Sequence, residues 1–500
     1  MTRQVPHFLN GADAQGQSDR FGDIFNPATG EVQAQVQYAT ADEVDKAIDL
    51  AAAAFPDWSQ TPPIKRARIM FKLKALIERD ADELAALLSS EHGKTVPDAK
   101  GELQRGIEVV EFACGIPHLQ KGEYTEQVGG GIDSWSIRQP VGVVGCITPF
   151  NFPAMIPLWM VPMALACGNT VILKPSERDP SLPNRLAHLF KEAGVPDGVL
   201  NVVNGDKVAV DTILNSPKVS AISFVGSTAI ADYVYKTGTQ GGKRVQAFGG
   251  AKNHMIIMPD ADLDQAVDAL IGAGYGSAGE RCMAVSAAVP VTDKVADALV
   301  ERLAPKVEAL KVSHGQDPDA EFGPLINRAH LEKVKGYIGR GVEEGADLVV
   351  DGRDFTPPQG YEDGFYLGGC LFDKVTTDMD IYKEEIFGPV LSVARAPDFE
   401  TALKMANDHP YGNGTAIFTR DGDAAREYAN QVQVGMVGIN VPIPVPMAFH
   451  SFGGWKMSAF GDHNMFGPEA VRFYTKVKTV TARWPTGVRE DPSFVMPVLK

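Results

Sequence analysis

The sequence predicts an α/β protein with a doubly wound parallel sheet and a second α/β domain. Strand-like apolar runs alternate with helical patterns over residues 141–259, and a second alternating series covers residues 251–440. Such alternation is typical of parallel sheets that carry helices on both faces. The chain has 500 residues, which is more than one hydrophobic core usually serves.

The first 120 residues are predicted to be mainly helical. Thr40 offers an N-cap and Glu43 stands at the capping-box position of a helix that is expected to end near Pro56. Residues 64–93 predict one further helix, and residues 98–117 predict a third with apolar positions at helical spacing.

The middle of the chain predicts buried parallel strands, because short apolar runs there end in turn residues. Four such runs are VGVVGCITP, TVILKPS, GVLNVVNG and AISFVGST. No charged residue stands between Gln139 and Leu173, but five prolines interrupt this segment. A membrane span needs about 20 continuous apolar helical residues, so we expect a buried strand, a turn and a buried helix.

Two further segments are expected to form exposed strands that suit pairing between subunits. One is GGIDSWSIRQP, in which polar and apolar residues are mixed, and the other covers residues 471–484, which alternate as in an edge strand.

The composition argues against several classes of partner. The formal net charge of −16 disfavours binding to nucleic acid or to an anionic membrane, which requires a basic surface. The five cysteines are odd in number and irregularly spaced, so they predict neither a disulfide framework nor a metal site. The N-terminus lacks the features of a signal peptide, and we expect a cytoplasmic protein.

Cys282, in SAGERCMAVS, is a candidate nucleophile. A lone cysteine is usually a buried small hydrophobe, but small residues surround this one and Arg281 would favour its thiolate. A thiolate that attacks a carbonyl carbon creates an oxyanion, which needs hydrogen-bond donors. Asn151, in TPFNFP, is a candidate donor, and the alternative is a turn asparagine that satisfies its own backbone.

Five motifs in order, PFNFP, LKPSE, FVGST, GERC and EEIFGPV, resemble the aldehyde dehydrogenase family over essentially the whole chain. The resemblance implies the fold of that family and a homodimer or homotetramer. It implies a Rossmann-type NAD-binding domain over residues 1–122 and 144–250 and a catalytic domain over residues 251–459. Residues 123–143 and 460–500 are expected to be small β oligomerisation segments.

The resemblance also implies the roles of individual residues. Cys282 would attack an aldehyde, the Asn151 side chain and the Cys282 N–H would hold the oxyanion, and a thioester would remain on the sulfur. Lys174 and Glu177 would hold the adenine ribose, where a carboxylate favours NAD over NADP. The full set of residues implied in NAD binding is Phe150, Lys174, Glu177, Gly226, Ser227, Glu385 and Phe387.

Two departures from the family predict the acyl acceptor. Hydrolytic members carry a glutamate in an ELGGK turn and many carry a second one near the C-terminus, but these positions fall on Phe248 and Met465. Without a carboxylate to activate water, the thioester would persist until a better nucleophile arrives. The sequence resembles the CoA-acylating branch that acts on methylmalonate and malonate semialdehydes, in which coenzyme A takes the acyl group.

In that branch two arginines hold the carboxylate of the substrate, and they match Arg105 and Arg281. A guanidinium fork suits bidentate binding of a carboxylate, whereas the plain interpretation of Arg105 is a solvated helix charge. The carboxylate is lost as carbon dioxide or bicarbonate, which gives propionyl-CoA or acetyl-CoA. The sequence does not rank the two semialdehydes, and valine catabolism is one of several pathways that would suit.

Two alternatives differ in class. The first is a hydrolytic NAD-dependent aldehyde dehydrogenase that releases a free acid, and the second is a binding protein that retains the fold without catalysis. The presence of Cys282 and Asn151 argues against the second, and Phe248 and Met465 argue against the first.

Overall fold

The computed structural model describes residues 2–484, and its first large unit is an eight-stranded sheet. The strands lie in the spatial order Ala459–Phe460, Arg244–Phe248, Val219–Val225, Val143–Ile147, Thr170–Lys174, Leu200–Val202, His7–Leu9 and Ala12–Ala14. The second to sixth strands of this order are parallel to one another, and the outer ones are antiparallel.

The five parallel strands form a doubly wound sheet. Numbered along the chain, they lie in the order 5-4-1-2-3, so the winding direction reverses beside the first strand, Val143–Ile147. Ligands of doubly wound sheets bind at such a reversal, beyond the carboxyl ends of the strands. The helices that connect these strands are Met155–Ala166, Ser181–Ala193, Lys207–Asn215 and Thr228–Gln240.

The charge-free segment folds as predicted. The strand Val143–Ile147 is buried along its whole length, and so are all twelve residues of the helix Met155–Ala166. Among the described residues 2–484, no helix has the length and apolar content that crossing a membrane requires.

Four long helices precede this sheet, and two expectations about them were wrong. Thr40 and Glu43 form the predicted capping box, but the helix continues through Pro56 to Gln60. Trp58 is 2% exposed, so packing of its side chain holds the last turn although a proline removes one backbone hydrogen bond. Residues 64–93, which were predicted to form one helix, form two helices that are separated at Asp80.

The bounds of these four helices are Ala41–Gln60, Pro63–Arg79, Ala81–His92 and Val96–Cys114. At Asp80 the backbone has φ −97° and ψ 11°, which interrupts the helical path, and the Asp80 carboxylate binds Arg79 and Arg185. A short helix, Ile116–Leu119, follows the fourth.

A seven-stranded sheet forms the second large unit, as the second alternating series predicted. Its spatial order is Asp347–Val350, Cys370–Asp373, Val390–Val393, Val285–Pro290, Asn253–Ile257, Gly414–Phe418 and Met436–Ile439, and only the first strand is antiparallel to its neighbour. The helices of this unit are Leu263–Tyr275, Asp293–Glu308, Arg328–Glu343, Asp380–Lys383, Phe399–Asp408 and Gly422–Gln431, with a 3-10 turn at Gly276–Gly279. The predicted α/β fold class is confirmed.

The two segments expected to form exposed strands share a three-stranded antiparallel sheet with Tyr124–Gly129 at one edge. Ile132–Pro140 is its centre, and Thr475–Arg483 pairs along the full length of that strand. The expected tail strand begins too early, because Val471 and Phe473 lie in the helix Pro468–Phe473 with buried side chains. The predicted oligomerisation segment also includes residues 485–500, which lie outside the described residues.

Two small sheets complete the fold. One contains Arg3–Val5, Val32–Gln37 and Phe21–Phe25, and the other contains Tyr411–Gly412 and Trp455–Lys456. The domain boundaries inferred from the resemblance stay predictions.

Candidate active site

The sequence-predicted residues of the first unit converge where its sheet reverses direction. Phe150 and Asn151 follow the central strand, Lys174 ends the neighbouring strand on one side, and Gly226 follows the neighbour on the other side. The alternation of strands and helices therefore places three separate motifs at one edge of the sheet.

Cys282 lies in a loop whose backbone is unusually tight. Ser277, Ala278 and Gly279 have φ values of 54°, 53° and 72°, which is the left-handed region that side chains disfavour. Gly279 is required there, because a Cβ atom at this position would stand 2.0 Å from the carbonyl oxygen of Gly388.

Two asparagine side chains fix the Cys282 backbone by hydrogen bonds. Asn253 Nδ2 donates to the Cys282 carbonyl at 2.9 Å, and Asn413 Nδ2 donates to the same oxygen at 3.0 Å. Both residues stand at the amino ends of neighbouring strands of the seven-stranded sheet, so the sheet itself holds the nucleophile loop.

The side chain of Cys282 is partly buried in a small pocket that Arg281, Glu385 and Phe387 also line. Burial and, to a smaller extent, the nearby Glu385 carboxylate raise the pKa of the Cys282 thiol to about 12, although Arg281 acts in the opposite direction. The ligand-free site thus keeps the thiol protonated at neutral pH.

Asn151 meets the Cys282 loop directly. Its Nδ2 donates to the backbone carbonyl of Glu280 at 3.1 Å, two residues before the nucleophile. The backbone carbonyl of Asn151 accepts from Lys94 Nζ at 2.7 Å. The side chain of Asn151 is therefore oriented toward the nucleophile loop rather than onto its own backbone.

A buried ion pair supports Asn151, and sequence reasoning missed it. Lys94 Nζ lies 2.7 Å from Glu102 Oε2, and both side chains are almost fully buried. Glu102 Oε1 accepts from the backbone N–H groups of Ala154 and Met155, at 2.8 and 3.0 Å. Lys94 thereby links Asn151 to the start of the buried helix that follows it.

Glu280 is a second residue that the sequence did not single out beyond its motif. Its side chain is fully buried, its Oε1 accepts from the Ile326 N–H at 3.3 Å, and His330 and His92 lie at 3.4 and 3.8 Å. Burial raises the pKa of the Glu280 carboxyl to about 8. His330 Nε2 also donates to the carbonyl of Phe387 at 2.7 Å.

Lys174 and Glu177 pair with each other at 3.1 Å. Burial raises the pKa of the Glu177 carboxyl, but the Lys174 ammonium, a backbone hydrogen bond and Arg178 together outweigh this effect and hold the pKa below its usual range. The helix Thr228–Gln240 begins after Gly226 and the exposed Ser227, and no side chain caps its N–H groups. A charged carboxylate for a ribose and an open helix N-terminus for a pyrophosphate fit NAD.

Glu385 lies against the turn that joins the two large sheets. Its Oε1 accepts from the Ala251 N–H at 3.0 Å, and burial raises the pKa of this carboxyl to about 7. Lys252 donates to the carbonyls of Ile381 and Glu384, at 2.6 and 3.0 Å, and so fixes the segment that carries Glu385.

Phe387 follows in this segment with a φ of 61°, and its ring meets that of Phe150 edge to face at 5.9 Å. The two aromatic residues that the resemblance assigns to NAD binding are therefore in contact.

The two candidate carboxylate-binding arginines differ in their partners. Arg281 Nη2 lies 2.6 Å from Asp98 Oδ1. Arg105 Nη1 lies 2.6 Å from Glu108 Oε2, and Arg105 Nη2 donates to the Pro446 carbonyl at 2.7 Å.

Phe248 and Met465, the positions where hydrolytic members carry glutamates, are 4% and 0% exposed. The Phe248 ring lies 6.2 Å from that of Phe452, and Met465 Sδ accepts a weak contact from Ser223 Oγ at 3.6 Å. Within residues 2–484, no group of three or more His, Cys, Asp or Glu side chains is arranged to hold a metal ion.

Comparisons with known proteins agree with this geometry. The chain is 58% identical to the malonate-semialdehyde dehydrogenase of Pseudomonas aeruginosa over 494 residues, which is 99% of either chain. It is 50% identical to malonate-semialdehyde dehydrogenase 1 of Geobacillus thermodenitrificans, over 96% of this chain and 99% of that one.

Two solved structures match with a TM-score of 0.96. One is a NAD complex of a protein from Sinorhizobium meliloti 1021, at 59% identity, and the other is the methylmalonate-semialdehyde dehydrogenase of Oceanimonas doudoroffii, at 57%. Each comparison covers 98% of this chain and 100% of the other. The model of the aldehyde dehydrogenase family matches residues 14–480, and the chain belongs to this family.

Proposed function

We propose that this protein is a NAD-dependent, CoA-acylating dehydrogenase of malonate semialdehyde or methylmalonate semialdehyde. The observation that carries the proposal is the absence of a carboxylate at Phe248 and Met465, both of which are buried. High identity to relatives named for these two substrates supports the same substrate class.

The nucleophile and the oxyanion donors act first. Cys282 loses its proton and its sulfur attacks the aldehyde carbon, which puts negative charge on the aldehyde oxygen. The Cys282 N–H and the Asn151 side chain donate to this oxygen, and Lys94 keeps the Asn151 turn in place through its 2.7 Å contact. Arg281 favours the thiolate by its positive charge.

NAD supplies a hydride acceptor when it is bound. The residues that would hold it are those at the sheet reversal and on the Glu385 segment, and the left-handed Phe387 would support the nicotinamide ring. Loss of the hydride leaves an acyl group on Cys282 as a thioester. Glu385 lines the same pocket as Cys282, and its carboxylate raises the pKa of the thiol. A ribose hydroxyl that donates a hydrogen bond to this carboxylate would disperse its charge and so lower the thiol pKa.

The acyl group then passes to a thiol. Water needs a general base, and the two positions at which hydrolytic members of the family carry a glutamate are occupied by Phe248 and Met465. The CoA sulfur attacks the thioester carbonyl, the Cys282–acyl bond breaks, and the enzyme thiol is regenerated. The substrate carboxylate is held by Arg281 and Arg105. Its bond to the adjacent carbon breaks, it leaves as carbon dioxide, which water converts to bicarbonate, and the electron pair left on that carbon takes up a proton from solvent.

The dependence on CoA tests this proposal. Enzyme, NAD and malonate semialdehyde are mixed with and without CoA, and NADH is followed by absorbance. We expect one equivalent of NADH per site without CoA and steady turnover with it, while Cys282→Ala gives neither. Steady turnover to a free acid without CoA would establish the hydrolytic alternative instead, and no NADH under any condition would indicate a protein without catalysis.

We also propose that the three-stranded sheet mediates assembly into a homodimer or homotetramer. Tyr124 and Val477 on this sheet, and Trp484 directly after its last strand, are 61%, 56% and 53% exposed, which is a large apolar area for a free surface. Val477→Asp is expected to lower the mass measured by light scattering, and an unchanged mass would contradict this role.

A further inference from the structure

We propose that Asp98 is a positioning residue, which fixes the guanidinium of Arg281 so that its remaining donors are available to the substrate carboxylate. This inference rests on the proposed function, because it takes Arg281 as a residue that binds this carboxylate. It adds a specificity-determining residue that belongs to none of the motifs of the chain.

The contact between the two side chains is close and sheltered. Arg281 Nη2 lies 2.6 Å from Asp98 Oδ1, and the side chains are 22% and 23% exposed. The other oxygen, Asp98 Oδ2, is buried and has no hydrogen-bond partner among residues 2–484. In that part of the chain Arg281 is the cation within ion-pair distance of Asp98, so the carboxylate is committed to it.

Asp98 is itself held rigidly. It lies in the first turn of the helix Val96–Cys114, and its backbone N–H donates to the side chain of the N-cap residue Thr95 at 3.4 Å. A carboxylate in the first turn of a helix is favoured by the helix dipole. The helix therefore presents Asp98 to Arg281 from a fixed position.

Gly276 forms the second wall of the Arg281 site. A Cβ atom at Gly276 would lie 2.8 Å from Arg281 Nη1 and 3.0 Å from its Cζ, so the guanidinium packs directly on this backbone. Asp98 and Gly276 together restrict the guanidinium, which otherwise would lose much side-chain entropy on binding a ligand.

The two arginines differ in how many guanidinium nitrogens are free to donate to a ligand. Both terminal nitrogens of Arg105 are engaged, by Glu108 and by the Pro446 carbonyl. Within the described residues, Arg281 has one hydrogen bond, through Nη2, which leaves Nη1 and Nε without protein partners. Arg281 is thus the preorganised donor to a carboxylate, whereas Arg105 must exchange existing contacts.

One helix face sets the geometry between the carboxylate and the reacting carbon. Asp98, Glu102 and Arg105 are spaced as i, i+4 and i+7, so they lie on the same side of the helix. Glu102 supports Asn151 through Lys94, and Asp98 supports Arg281. The helix thereby fixes the spacing between the oxyanion donor and the carboxylate donor.

The test compares a carboxylated aldehyde with an uncharged one. We expect Asp98→Ala to lower the ratio of kcat/KM for malonate semialdehyde to kcat/KM for propanal by tenfold or more, mainly through KM for the semialdehyde. The matched control is Asp82→Ala. Asp82 lies 2.6 Å from Lys100, which is on the same helix as Asp98, so the control removes a surface ion pair of that helix. We expect the control to keep the ratio within twofold of wild type.

Two further variants keep the test decisive if Asp98→Ala folds poorly. Asp98→Asn can still accept from Arg281, and we expect a smaller fall in the ratio, between twofold and fivefold. Gly276→Ala retains every charge but displaces the guanidinium, so the ratio should fall as well.

A ratio that stays within twofold of wild type in these variants, or that rises because Asp98 competes with the substrate, would overturn the inference. A wild-type enzyme that shows no preference for malonate semialdehyde over propanal would instead contradict the proposed function. The two failures are therefore distinguishable.

Discussion

Glu280→Gln tests whether the buried carboxyl behind the nucleophile loop is protonated in the folded protein. Burial raises its pKa from an ordinary value of 4.5 to about 8. Between these two values the folded state binds a proton that the unfolded state releases, so the free energy of unfolding falls as pH rises. Glutamine binds no proton, and the variant is free of this loss.

The size of the effect follows from the two pKa values. Since one pKa unit corresponds to about 1.36 kcal/mol, the carboxyl costs up to about 5 kcal/mol of stability by pH 8. At pH 5.5 the variant should differ from wild type by only about 1 kcal/mol, because the glutamine oxygen can still accept from the Ile326 N–H.

Thermal unfolding measured by circular dichroism at one scan rate, at pH 5.5 and pH 8, gives the comparison. With about 2.1 cal/mol/K per residue over 500 residues, a change of about 3 kcal/mol corresponds to about 3 °C in apparent Tm. The Tm of Glu280→Gln relative to that of wild type should be higher at pH 8 than at pH 5.5 by this amount. The relative Tm of the exposed control Glu301→Gln should be the same at both pH values. A Tm difference that is the same at both pH values, or that reverses in sign, would refute a protonated Glu280.

Three further predictions concern the site. The alkylation rate of Cys282 by iodoacetamide should rise about tenfold per pH unit from pH 7 to 9 in the ligand-free enzyme, since burial and Glu385 raise the thiol pKa to about 12, and a plateau below pH 8 would contradict this. Glu177→Ala should lower the ratio of the KM for NADP to the KM for NAD by about tenfold, and an unchanged ratio would contradict a contact between Glu177 and the adenine ribose. Lys94→Met should lower the free energy of unfolding by about 3–5 kcal/mol because it strands buried Glu102, which denaturant titration can measure, and a loss under 1 kcal/mol would be inconsistent with a buried pair.

The alternation of strands and helices predicted the two large sheets because parallel strands leave a strong signal, short apolar runs that end in turns. The same signal placed Asn151, Lys174 and Gly226 at one sheet edge. Helix ends were less predictable, since the last turn after Pro56 depends on burial of Trp58, a tertiary contact that no local pattern contains.

The supporting contacts of the site were beyond sequence reasoning for a similar reason. Lys94 bonds to Asn151 across 57 positions, and Asp98 bonds to Arg281 across 183. A charged residue on an amphipathic helix, such as Asp98, or in a connection between helices, such as Lys94, is usually solvated. Nothing in the local pattern therefore distinguishes these two residues from surface charges. The nucleophile was predictable because its motif is local.

The contact between Gly279 and Gly388 has a consequence for how this enzyme can be altered. Any side chain at Gly279 would collide with the Gly388 carbonyl, so the loop that carries Cys282 and the segment that carries Phe387 are in backbone contact at this point. Neither segment can be exchanged or reshaped by substitution without moving the other. An engineer who wishes to graft a different nucleophile loop onto this scaffold would have to transplant both segments as a single cassette.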